Sequence, residues 1–201
     1  MDALNPKKTA VLAIHLQNDI VEEGGAFYPF FQEQIAENKT LEKAAKALDQ
    51  ARDAGATIVY AVVGFKPDYS DMVENVPLLQ MGKAAEALID GAWGTEVAEQ
   101  VAAAENDIVL VHTRPSPFSG TPLDVMLRGR GIENVVVLGV ATNASVEDAA
   151  RAASNLGYRT IIDSDASSAA TAAAHAATLE SFALFGECAG TDDIAAAFAQ
   201  D

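Results

Sequence analysis

The sequence predicts an α/β protein with a parallel sheet covered by helices on both faces. Three observations carry that reading. Short apolar, β-rich runs alternate along the chain with alanine-rich stretches of helical period. The strand runs are nearly continuous in apolar residues, as strands buried on both faces require. Each helical stretch is followed by a glycine or an abrupt loss of periodicity before the next strand begins. At 201 residues the chain is long enough for a full core, and with no fixed-period repeat and no linker, residues 1–201 read as one domain.

In chain order, Thr9–Ile14 is the first expected strand. Thr40–Ala54 follows as a helix with Thr40 as N-cap and Gly55 just past its end. Thr57–Val63 is the second strand. Residues 64–92 read mostly as loop, with Pro67, Pro77 and Gly82 as breakers and a short helix near Ala84–Ile89. Thr95–Ala104 is an expected helix and Asp107–His112 the third strand. Thr121–Arg130 is a helix with Pro122 at its first position, where a missing N–H costs nothing. Asn134–Gly139 is a strand, Ala144–Leu156 a helix closed by Gly157, and Arg159–Asp163 a strand. A long helix, Ser168–Phe185, closes at Gly186. Glu187–Ala189 and Asp192–Ala199 form a last strand and helix.

Composition removes several function classes. Thirteen Lys and Arg against 29 Asp and Glu give a net charge of −16. Such a chain repels nucleic acid and anionic membrane surfaces, and no apolar run is long enough to span a bilayer. The single cysteine, Cys188, excludes an internal disulfide framework; together with the lack of a recognisable signal peptide it places the expected location in the cytoplasm. A small-molecule substrate is the expected partner.

In doubly wound sheets, ligands bind beyond the carboxyl ends of the strands. Two of the chain's three histidines stand at such ends: His15 follows the first strand and His112 closes the third. The strand from Asn134 runs into Gly139-Val140-Ala141-Thr142-Asn143-Ala144-Ser145, which places Ser145 in the first turn of the next helix. A hydroxyl there lies among unpaired N–H groups that can meet an oxyanion. It can equally be an ordinary helix-start serine.

These segments resemble the isochorismatase-like hydrolases, a superfamily that includes nicotinamidases, carbamoylsarcosine amidases and other cysteine hydrolases. Ala10–Val21 (AVLAIHLQNDIV) is similar to the family's opening strand. Gly24-Gly25-Ala26-Phe27 matches a following glycine pair, and Ser116–Leu123 (SPFSGTPL) a later segment. Val135–Ser145 (VVVLGVATNAS), Asp163-Ser164-Asp165-Ala166 and His175 complete the pattern, which covers nearly the whole chain. The resemblance implies a six-stranded sheet of order 3-2-1-4-5-6, a cis peptide and oxyanion hole around Gly139–Thr142, with Val140, Ala141 and Thr142 as its backbone, and a homo-oligomer.

It also implies a working trio of aspartate, lysine and cysteine. In this chain those three positions hold His15, His112 and Ser145. The site is then either silent, leaving a binding or scaffold protein, or altered in function. His-His-Ser is chemically coherent, because a serine hydroxyl needs a base near neutral pH and imidazole supplies one. In the altered reading His15 takes the proton of Ser145, which attacks an amide, related C–N or ester carbon, and His112 polarises or carries a proton. A further scheme has protonated His15 cleaving a vinyl ether. Two histidines with a carboxylate could also hold zinc. The metal motif of the nicotinamidase branch is missing from Gly64-Phe65-Lys66-Pro67-Asp68-Tyr69, and neither a metal nor another cofactor is expected.

Asp19, Trp93, Arg114, Phe118 and Asn143 form the expected substrate-side set. Asp19 would orient a histidine or cap local backbone, Arg114 pair with a substrate carboxylate or a surface acid, and Phe118 line the pocket or pack the core. Trp93 would close the pocket or anchor its loop. His175 and Cys188 read as structural.

Overall fold

In a computed structural model, residues 1–199 are described; Gln200 and Asp201, the last two of the expected domain, lie outside them. Six parallel strands form one sheet: β1 (Thr9–Ile14), β2 (Thr57–Val63), β3 (Ile108–His112), β4 (Asn134–Val140), β5 (Arg159–Ser168) and β6 (Glu187–Ala189), in the order β3-β2-β1-β4-β5-β6. The order reverses between β1 and β4, which is the topological switch point. The helices are α1 (Asn18–Val21), α2 (Tyr28–Asn38), α3 (Thr40–Ala54), α4 (Pro77–Ala84), α5 (Leu123–Gly129), α6 (Glu147–Asn155), α7 (Ala172–Phe182) and α8 (Thr191–Phe198).

Side chains alternate across the pleat and so divide the core into two layers. On one face Val11, Tyr60, Val136 and Ile161 pack against Leu41, Ala44 and Leu48 of α3 and Ile194 of α8. On the other, Leu12, Val59, Val137 and Ile162 meet Leu123 and Leu127 of α5, Ala149 and Ala153 of α6, and Phe182 of α7. The small alanines of α6 let it lie close to the sheet.

Several expectations need correction. No element was expected between Ile14 and Thr40, yet Tyr28–Asn38 is α2, which Pro29 opens near its first turn. Pro77, expected as a breaker, starts α4, and the helix expected at Ala84–Ile89 is absent. The expected helix Thr95–Ala104 is replaced by two single 3-10 turns at Trp93–Thr95 and Glu99–Val101. Without that helix one face of β3 is open, and Val109 and Val111 are exposed. β5 runs on to Ser168, past a register shift opposite Val137 and Gly139. The long helix is accordingly shorter, and Thr171 caps it by accepting a hydrogen bond from the Ala174 N–H (3.1 Å).

The switch point depends on one glycine. At Gly139 φ is +122°, and a Cβ there would fall 2.1 Å from the Ile14 carbonyl oxygen. β4 can approach β1 at this level only without a side chain. Replacing Gly139 with Ala is expected to cost more than about 3 kcal/mol in urea unfolding or to prevent folding. Gly129→Ala, in helix α5 with nothing within 4 Å of the added methyl, is expected to be neutral or slightly stabilising. Equal effects would contradict the close-approach account.

Candidate active site

The chain turns sharply as it leaves β1. His15 adopts φ +52°, unusual for a residue with a side chain, and its N–H is held by the Ala61 carbonyl (2.9 Å). Gln17 then secures the neighbouring strand end. Its amide nitrogen donates to the Val63 carbonyl (3.0 Å), and its oxygen accepts from the Val63 N–H (2.8 Å). With both strand ends pinned, the His15 ring reaches past β2 to the end of β3.

There it meets His112. The two Nε2 atoms are 3.1 Å apart, and the rings stack with centroids 5.0 Å apart. The Nδ1 of His112 is 2.7 Å from the Arg114 carbonyl oxygen. A carbonyl only accepts, so His112 carries its proton on Nδ1. Burial pushes His112 down to about 4, so at neutral pH its Nε2 holds a lone pair. That lone pair accepts the proton on His15 Nε2. The proton assignment therefore leaves the Nδ1 of His15 unprotonated and able to act as a base. Burial, and then repulsion from His112, hold His15 well below its ordinary value.

His15 lines a cavity of about 270 Å³ at the switch point. Val140, Ala141, Asn143, Ala144 and Ser145 form the wall facing it. A cis peptide joins Val140 to Ala141, where the family resemblance leads one to expect it. Ser145 was expected in the first turn of an α-helix. It stands instead in a turn of π-helix, Thr142–Val146, that precedes α6. Among the described residues the Ser145 hydroxyl has no hydrogen-bond partner, and no bond joins it to either imidazole. Ser145 and His15 thus share a cavity with no hydrogen bond between them. Thr142 is fully buried behind this wall, its hydroxyl paired with His175 Nδ1 (2.8 Å).

Of the five expected substrate-side residues, only Asn143 lines the cavity. The Asp19 carboxylate instead accepts from the backbone N–H groups of Leu88 (2.7 Å) and Ala26 (3.4 Å). It fixes the cavity wall at Leu88 without facing the cavity. Trp93 is 50 % exposed and borders a separate surface groove with Glu22 and Glu99. The Arg114 guanidinium is turned to the Val73 carbonyl (3.2 Å) and Asn75 Oδ1 (3.1 Å). Phe118 packs against Tyr158, with ring centroids 6.3 Å apart.

The opposite walls come from segments expected as unstructured. α2 and its approach supply Phe27, Phe30 and Phe31; α4 supplies Leu78, Leu79 and Met81. The proline ahead of FFQ and the proline ahead of LLQM were the available signals, as helix starters. Among the described residues, no group of three or more His, Cys, Asp or Glu side chains converges as a metal site.

Fold and site together define a doubly wound α/β protein with a cavity at the switch point lined by a serine and an imidazole. The Isochorismatase domain model matches residues 9–193, and the chain belongs to that family. It is 31 % identical over 172 residues to an uncharacterised isochorismatase family protein, YecD, of Escherichia coli O157:H7, covering 86 % of each chain. It is 32 % identical over 175 residues to the ureidoacrylate amidohydrolase RutB of Agrobacterium fabrum, covering 81 % of this chain and 77 % of that one. A cysteine hydrolase from Pseudomonas syringae superposes with a TM-score of 0.88 at 26 % identity, covering 99 % of this chain and 96 % of the other.

The buried imidazoles make stability depend on pH. His112 has a folded value near 4 against 6.5 unfolded, so over that interval the unfolded chain binds more protons. Stability is therefore lost as pH falls from about 6.5 toward 4, by up to about 3 kcal/mol for this residue. Asp163 acts in the opposite sense. Burial raises its carboxyl to about 6 from 3.8, so its contribution improves as pH falls across that range. Comparison with His112→Gln cancels the Asp163 contribution. The urea midpoint of the wild type is expected to fall more steeply between pH 6.5 and 4.5 than that of the variant. Parallel slopes would contradict the neutral-pair assignment.

Proposed function

We propose that this chain, as one domain in the cytoplasm, hydrolyses an amide, related C–N or ester bond of a small molecule through Ser145. The observation that carries the reading is that His15, hydrogen-bonded through Nε2 to His112, lines the same cavity as Ser145, whose hydroxyl has no hydrogen-bond partner among the described residues. Rotation of the serine hydroxyl, or one bridging water, would bring its proton within reach of the imidazole when substrate is bound. The serine oxygen would attack the acyl carbon while His15 Nδ1 takes the proton. His112 would act as a positioning residue, because its lone pair fixes the His15 tautomer. The backbone of Val140, Ala141 and Thr142 would face the developing oxyanion. The returning proton would go from His15 to the leaving nitrogen or oxygen, and water would release the acyl group by the same route.

The name of the RutB relative, an amidohydrolase, supports C–N cleavage as the reaction type. The depressed basicity of His15 favours acyl transfer over vinyl ether protonation, since the latter needs a standing imidazolium at neutral pH. Association with a second copy is supported by the open face of β3, where Val109 and Val111 are exposed.

A fluorophosphonate probe is expected to label Ser145 in the wild type and not in Ser145→Ala. His15→Ala is expected to slow labelling by about 100-fold or more, the usual contribution of a positioned base. His112→Ala should slow it less, and His112→Gln should restore part of the loss. Labelling elsewhere, or labelling unaffected by His15→Ala, would overturn the assignment and favour a silent binding protein.

A further inference from the structure

The cavity that joins His15 and Ser145 has an unusual lining for a site that handles polar bonds. Seventeen residues border it, and none is Asp, Glu, Lys or Arg. Its polar side chains among the described residues are His15, which follows β1, and Asn143 and Ser145, which follow the adjacent β4. Other walls are formed by phenylalanines of α2 and by Leu78, Leu79 and Met81 of α4. Phe30 and Met81 also stand partly in solvent, so the mouth itself is apolar. The nearest cation considered for substrate binding, Arg114, is turned away into bonds with Val73 and Asn75.

A carboxylate placed in such a space loses its hydration and gains no counter-charge, which is strongly unfavourable. A neutral acyl compound loses little, and its hydrocarbon gains from the burial. Size sets a second limit. A volume of about 270 Å³ equals about nine waters at roughly 30 Å³ each.

We propose that this cavity selects neutral, mainly apolar amides or esters of roughly ten heavy atoms, and rejects carboxylates of the same shape. Their carbonyl sits at the Ser145 and Asn143 end, and their hydrocarbon lies between α2 and α4. The inference deepens the hydrolase reading and rests on it for the orientation of the carbonyl.

The test is a binding measurement on the full chain with two matched probes, 3-phenylpropanamide and 3-phenylpropanoate, by isothermal titration at pH 7.5. The amide is expected to bind at least tenfold more tightly than the carboxylate. Met81→Arg, a substitution at the exposed mouth, is expected to narrow that gap tenfold or reverse it. Equal or tighter binding of the carboxylate to the wild type would overturn the proposal, as would no saturable binding of either. A preference for the amide with no probe labelling at Ser145 supports the ligand class while the hydrolase reading fails. Hydrolysis of anionic esters alone would do the reverse.

Discussion

The arrangement of the site depends on one contact, the Nε2 to Nε2 approach of His15 and His112. Neither ring could be assigned a role without it. The Arg114 carbonyl fixes the proton of His112, His112 fixes the proton of His15, and His15 lines the cavity with a lone pair left on its Nδ1. This relay of tautomers needs the ends of β1 and β3 to be held at one level. Gln17, bonded to both backbone groups of Val63, and the tight turn at His15 tie the end of β1 to that of β2, and Val63 in turn lies in register with His112 of β3. In the proposed mechanism His15 is a base whose orientation His112 sets, so a second neutral ring would supply what a carboxylate often supplies elsewhere.

The same contact explains why the surroundings can be so apolar. The family resemblance places an aspartate and a lysine where His15 and His112 stand. Two buried ions carry a desolvation penalty of several kcal/mol each and need polar neighbours to offset it. Two neutral imidazoles share a hydrogen bond and need little else. The loss of formal charge at the strand ends and the hydrocarbon walls from α2 and α4 therefore belong together physically. Asp19, the charge that remains nearby, is spent on the backbone of Leu88 and Ala26, outside the cavity.

Much of this was legible in the sequence. The six strands and most helices announce themselves through apolar runs, caps and glycines, and two histidines fall at strand ends, where the structure brings them together. The misses have a common cause. Helix α2 lines the cavity with both Phe30, which stands half in solvent, and Phe31, which also packs on the core, so its pattern lacks the amphipathic period that marks a surface helix. The end of β5 is hidden by Asp163, Ser164 and Asp165, polar residues whose partners lie far along the chain; Thr191, for one, donates to the Asp163 carboxylate (2.9 Å). Arg114 and Phe118 sit close to site residues in sequence, yet their side chains point elsewhere. Direction is a tertiary property that adjacency does not encode. The contact between His15 and His112, 97 residues apart, could not be read from sequence spacing.

The proton positions on these two rings are the most direct test. Long-range ¹H–¹⁵N correlation spectra of the histidine side chains at pH 7 report tautomer and charge for each ring. The account requires His112 protonated at Nδ1 alone and His15 protonated at Nε2 alone. An imidazolium pattern for either ring, or a proton on Nδ1 of His15, would contradict it.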